Sequence, residues 1–111
     1  MSMYNLKDII RINQEVGETG ELRDSSSIDF AISITKNNKS WLYELSYLAR
    51  SIIIDHVFVD GNKRTAYILC TLYFEKQNKE YNDQKLIIAI LKIARKNITD
   101  INKIARLLLK C

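Results

Sequence analysis

Between positions 56 and 64 the chain sets His56, Asp60, Gly61, Asn62, Lys63 and Arg64 close together: an imidazole, a carboxylate, an amide and two cations. His56 is the single histidine, and Gly61 is one of three glycines. Imidazole titrates near neutral pH, so His56 is a candidate general base. Asp60 could hold a Mg2+ that bridges phosphate oxygens. Asp60-Gly61-Asn62 is turn chemistry, because Asp and Asn favour turns and caps and Gly permits positive φ. A helix should start near Asn62 or Lys63. Its N-terminus presents free backbone N–H groups and the positive end of the helix dipole, and Gly61 has no side chain to bar an anion. Lys63 and Arg64 sit where cations weaken a helix, and a bound phosphate is the compensation that fits. Asn62 has two readings, a helix cap and an amide that orients a phosphate, and both can hold together.

Apolar runs on either side must position this stretch. Ile52-Ile53-Ile54 precedes it, and Ala66-Tyr67-Ile68-Leu69-Cys70 follows. The spacing of Leu45, Leu48, Ala49, Ile52 and Ile53 predicts a helix capped by Ser40 and ending near Asp55. The helix from Asn62 to Gln77 is apolar nearly all round, so it is expected to be the central, most buried one. Phe58 and Val59 are expected to point into the core and fix the loop. Upstream, residues 4–16 read as a helix with Leu6, Ile9, Ile10 and Asn13 on one face, stopped at Gly17. Downstream, Asp83 is expected to cap a helix whose core face is Leu86, Ile87, Ile90, Leu91 and Ala94. Thr99-Asp100 should start a last one, with Ile101, Ile104, Ala105 and Leu108 inward. Residues 28–35 are ambiguous: Ile28, Phe30, Ile32 and Ile34 alternate as in a strand, while Ile28, Ala31 and Ile32 also suit a short helix. Residues 35–39 read as a loop. Trp41, Tyr43 and Tyr47 stand at helical spacing, which favours core positions over a base-stacking platform.

Composition bounds the answer. The chain has 111 residues, enough for one domain with a core, so residues 1–111 are read as a single unit. Apolar residues make up 47% and proline is absent, which favours a packed helical protein over disorder. The net charge of +4 is explained by solvated lysines, so nucleic acid is disfavoured as a partner. The two cysteines, Cys70 in an apolar helix and Cys111, have no metal-ligand spacing and do not make a disulfide framework. A reducing, cytoplasmic setting is expected. No apolar run approaches the ~20 residues of a membrane span, and no signal-peptide pattern opens the chain.

The motif His56-x-Phe58-x-Asp60-Gly61-Asn62-Lys63-Arg64 resembles the signature of the Fic/Doc (Fido) family, in the variant typical of the death-on-curing (Doc) toxins. Gly20-Glu21-Leu22-Arg23-Asp24, followed by Ile28 and Ala31, is similar to the Gly-x-x-Arg-Asp region that precedes the motif in that branch. Together the resemblance covers about residues 6–81. It implies an all-α fold, a compact bundle of about six helices around a central buried helix. It favours helix for the ambiguous segment, to about Ser33, and a short flap loop after it. Two positions depart from the wider family signature. Tyr67 stands where a second Arg would grip a second phosphate group, and Lys63 stands where AMP-transferring members usually have Gly.

The resemblance implies an ATP-using transferase. His56 would take the proton from a Ser, Thr or Tyr hydroxyl of a target protein. Asp60 would hold Mg2+, and Gly61, Asn62, Lys63 and Arg64 would bind phosphate. Tyr67 and Lys63 favour transfer of the terminal phosphoryl group, with transfer of AMP as the alternative. By resemblance the role is that of a toxin acting on a component of translation. No complete copy of the family's inhibitory Ser/Thr-x-x-x-Glu-Gly/Asn motif is present; Ser40-Trp41-Leu42-Tyr43-Glu44 comes nearest. A separate antitoxin protein is therefore the expected restraint. A different class of reading is a non-catalytic helical module that binds nucleotide or nucleic acid.

Overall fold

A computed structural model of the chain describes residues 4–35 and 40–111. It contains helices α1 (Leu6–Glu15), α2 (Ser26–Thr35), α3 (Trp41–Ile54), α4 (Asn62–Lys76), α5 (Asp83–Arg95) and α6 (Ile101–Leu109). No strand occurs among the described residues; Leu22 and Phe58 form one isolated antiparallel bridge. The all-α expectation therefore stands.

Local chemistry sets most helix ends. Asn5 and Asp8 form a reciprocal capping box at α1, with Asp8 N–H donating to Asn5 Oδ1 at 2.9 Å and Asn5 N–H to Asp8 Oδ2 at 3.0 Å. Ser40 caps α3 by accepting from Leu42 N–H at 3.2 Å, as its position predicts. Asp100 does the same for α6. For α5 the cap is Asn82, which accepts from Lys85 N–H at 3.0 Å; Asp83, expected as the cap, is the first helical residue instead. Gly17 follows α1 with φ +98, a left-handed turn that suits a helix stop.

Helix α3 is the hub. It packs against α2, α4, α5 and α6, while α4 packs against α1, α3 and α5. The sequence reading gave α4 the most buried place. The difference arises because α4 turns Lys63, Arg64, Glu75 and Lys76 to solvent, whereas α3 buries eight of its residues. Leu45, Leu48 and Ile52 of α3 meet Leu69, Tyr73 and Phe74 of α4 in the core, all fully buried. Each such side chain stabilises the fold by about 1.5–3 kcal/mol through burial. Trp41 stacks edge-on against Phe74 at 6.0 Å. Tyr43, by contrast, is exposed and its hydroxyl donates to Asn102 of α6.

Two further expectations change. Residues 26–35 are helix, longer than the segment expected to end near Ser33, so Thr35 belongs to α2 and not to a loop. Burying Ile28 and Ala31, three residues apart, against the bundle satisfies the backbone within the helix, where a strand would need a partner. The flap was expected on residues 35–39, of which 36–39 lie outside the described residues. The face of α5 is also rotated: Leu86, Ala89, Ile90 and Ile93 are buried, and Ile87 is 45% exposed. Ile87, Ile88, Ile90 and Leu91 spread over a wide arc, so periodicity alone does not choose the inward side. Contact with α3, α4 and α6 at once chooses the face with small Ala89 at its centre.

Candidate functional site

The loop between α3 and α4 carries the motif, and it is held from three sides. Val57 and Phe58 are buried and anchor it to the core. Val59 was expected inward too, but is 58% exposed, because the chain bends there, directly after the bridge at Phe58. On the second side lies the segment before α2. Arg23 N–H donates to Val57 O at 2.7 Å and Val59 N–H to Glu21 O at 3.1 Å, on either side of the Leu22–Phe58 bridge. The Gly20–Asp24 stretch thus supports the loop through its backbone. Asp24 accepts from the N–H of Ser26, the first residue of α2, at 2.9 Å, and that bond holds its carboxyl below the usual range.

The third hold is Asn62. Its Oδ1 accepts from Phe58 N–H at 3.0 Å and its Nδ2 donates to Phe58 O at 2.9 Å. Of the two readings for Asn62, the amide is thus mainly engaged with the loop, with one Nδ2 hydrogen beyond the Phe58 bond. Beneath the loop, Asn13 of α1 is buried among these partners. Its Nδ2 donates to Asp60 O at 2.9 Å and Thr65 Oγ1 at 3.0 Å, and its Oδ1 accepts from Gly20 N–H at 2.9 Å.

His56 follows α3 immediately and has φ +51, a left-handed conformation uncommon for a residue with a Cβ. Its Nδ1 lies 3.0 Å from Ile54 O. A carbonyl only accepts, so Nδ1 carries the proton and Nε2 is left as the basic nitrogen. Asp60 is exposed, and one carboxylate oxygen accepts from Gly61 N–H at 3.1 Å. Gly61 is the N-cap of α4 at φ +73, with no side-chain cap. A Cβ there would lie 2.5 Å from Glu18 Cγ and 3.3 Å from Asn13 Nδ2, so glycine is required by both conformation and space. The first-turn N–H groups of α4 thus face outward without a capping side chain.

Lys63 and Arg64 are exposed on the first turn of α4. Arg64 donates to Val16 O at 3.2 Å and pairs with the Glu18 carboxylate. His56, Asp60, Gly61, Asn62, Lys63 and Arg64 all border one hollow of about 360 Å3, which Ile53, Val59, Ala94 and Asn97 also line. Sequence reasoning missed Glu18 and the contributions of Ala94 and Asn97, which come from distant segments with no local signal. Asn13 did leave a signal: a polar residue on the apolar face of α1.

No group of three or more metal-ligating side chains occurs among the described residues. Asp60 alone brings an exposed carboxylate to the hollow.

Residues 4–74 match the Fic/DOC family, and the chain belongs to that family. Members typically transfer nucleotide-derived groups to proteins, and the fold is of the Fic enzyme type. No curated protein and no solved structure matched the chain significantly. Among the described residues no helix is long and apolar enough to cross a membrane.

Proposed function

We propose that the chain is a Doc-like enzyme that transfers the terminal phosphoryl group of ATP to a Ser, Thr or Tyr hydroxyl of a target protein. The observation that carries this reading is the bond from His56 Nδ1 to Ile54 O beside the uncapped start of α4. It leaves Nε2 as a base at the rim of an anion-attracting hollow. In the reaction the hydroxyl proton passes to His56 Nε2 and the oxygen attacks the γ-phosphorus. The bond from that phosphorus to the β–γ bridging oxygen breaks, and ADP leaves. Backbone N–H groups of α4, with Lys63 and Arg64, stabilise the charge that builds on the transferred group. Asn62 holds the loop that aims His56 and leaves one amide hydrogen for the phosphates. Asp60 is the residue suited to Mg2+, which when bound supplies charge neutralisation between phosphate oxygens.

Tyr67, standing where a second Arg would serve AMP transfer, supports phosphoryl transfer over the alternative. The same reading makes the protein a cytoplasmic toxin aimed at translation and held in check by a separate antitoxin.

The test uses ATP labelled at the γ- or the α-phosphate, with Mg2+, host-cell extract, and wild type or His56→Ala. Label from γ alone, lost in the variant, is the expected result. Label from α would establish AMP transfer instead. Absence of both, with ATP bound, would leave a nucleotide-binding module.

A further inference from the structure

The positive charge of the chain is not spread evenly. From residue 83 to 111, seven Lys and Arg stand against two Asp, whereas residues 1–82 hold ten Lys and Arg against eleven Asp and Glu. The excess therefore lies in α5, α6 and the turn between them. Three of these cations, Lys85, Lys92 and Lys110, border a groove of about 230 Å3 together with Ile88, Ala89 and Leu107. On α5, Lys85, Ile88, Ala89 and Lys92 fall at i, i+3, i+4 and i+7, a single stripe two turns long. Ile88 is 64% exposed, Ala89 is buried, and Leu107 on α6 is half-buried. Cys111 O accepts from Asn82 N–H at 3.1 Å, which ties the end of α6 to the start of α5. No carboxylate lines the groove, and among the described residues none pairs with its three lysines. The groove shares no lining residue with the hollow at the motif.

We propose that this groove docks an acidic amphipathic helix of a partner protein. Apolar side chains of that helix meet Ile88, Ala89 and Leu107, and its carboxylates meet Lys85, Lys92 and Lys110. Lys85 and Lys92 are separated by about 10.5 Å along the axis of α5, the rise over seven helical residues. A second helix laid along α5 has the same rise. Asp or Glu at its positions i and i+7 therefore reaches both lysines, while i+3 and i+4 supply the apolar contact. Charge and shape decide among the possible occupants. A second copy presenting the same face would set lysine against lysine. A nucleic acid would answer the cations, but no aromatic or amide side chain lines the groove to stack on a base or read its edge. An anionic membrane favours apolar side chains that protrude, whereas Ala89 and Leu107 are recessed.

The experiment is calorimetric titration of the full chain at low salt with four probes. One is a stapled helical peptide of about 14 residues, four turns, with Leu along one stripe and Glu on both flanks. The second is its twin with Lys for each Glu, and the others are phosphatidylglycerol vesicles and poly(U) RNA. Expected is binding of the acidic peptide about tenfold tighter than of its twin, weakened by added salt. Ile88→Asp and Lys92→Glu change exposed positions and so keep the fold, and each should lower that affinity about tenfold. Phe30→Ser, on α2 and 59% exposed, should leave it unchanged. Equal affinity for the two peptides, or no binding of the acidic one, overturns the inference. Affinity unchanged in Ile88→Asp and Lys92→Glu does so too, as do equal losses in all three variants, because binding would then follow exposed apolar surface in general. Tighter binding of vesicles or RNA than of the acidic peptide overturns it in favour of a membrane or nucleic-acid face.

Discussion

At the scale of single residues, Arg64 is contested. Its guanidinium is shared between the Glu18 carboxylate and Val16 O, so a phosphate must compete for it. Glu18→Gln removes the charge and keeps the shape. Since exposed pairs contribute about 0.2–1 kcal/mol, ATP affinity should rise up to about fivefold, by calorimetry at low salt. An unchanged Kd would mean that Arg64 does not meet the nucleotide. Tyr67 offers a second test. Its hydrogen bond to the Asp83 carboxylate, with desolvation, raises its pKa from 10.0 to about 12. The raised value means that the bond contributes fully below pH 10 and is lost as pH rises through about 12. Burial and acidic neighbours raise Tyr4, Tyr73 and Tyr81 as well, so the test is a difference: alkaline ultraviolet titration of wild type and Asp83→Asn should differ by one tyrosine, which moves from about 12 back towards 10.0.

Elements matter here as supports for one loop. The helix α3 ends, the loop crosses, and α4 begins, all under the hold of Asn62 and Asn13. Asn62→Ala removes both bonds to the Phe58 backbone. Leaving half-buried groups unmade costs about 1–3 kcal/mol, so urea denaturation should show that loss. Amide exchange should quicken at positions 56–61 and not in α5 or α6. Exchange that quickened uniformly would contradict a local latch. The motif fixed the residue types of this loop legibly, since Asp-Gly-Asn announces a turn before a helix. The latch was not legible, because Asn13 lies far upstream and its partners are brought near only by packing of α1 on α4.

On the scale of the whole molecule, α3 and α4 carry the core, and the site depends on their union. Leu69 is fully buried between them. Leu69→Ala should cost about 2–5 kcal/mol in chemical denaturation, a large part of the stability of a small domain. A smaller loss would mean that the core collapses around the cavity. Cys70, next to it, is fully buried, and burial pushes its thiol well above the usual range. Iodoacetamide at pH 8 should therefore leave Cys70 unmodified in the native protein and label it on unfolding, read by peptide mass. Labelling of the folded chain would show that α4 opens.

The sequence by itself determined the motif, the turn at Gly61, the cap at Ser40, the start of the last helix at Thr99-Asp100, and the helical character of nearly every segment. These follow from local rules: side chains that bond a nearby N–H, glycine at positive φ, and apolar residues at helical spacing. Periodicity left residues 28–35 open between strand and helix, and the family resemblance chose the helix that α2 forms. Tertiary structure alone decided which side of α5 faces inward, that Val59 turns out, and that Glu18 and Asn13 meet the motif loop. Each of these depends on which surfaces pack together. Broad apolar arcs and long-range hydrogen bonds have several locally equivalent solutions, and only the closure of the bundle around α3 selects one.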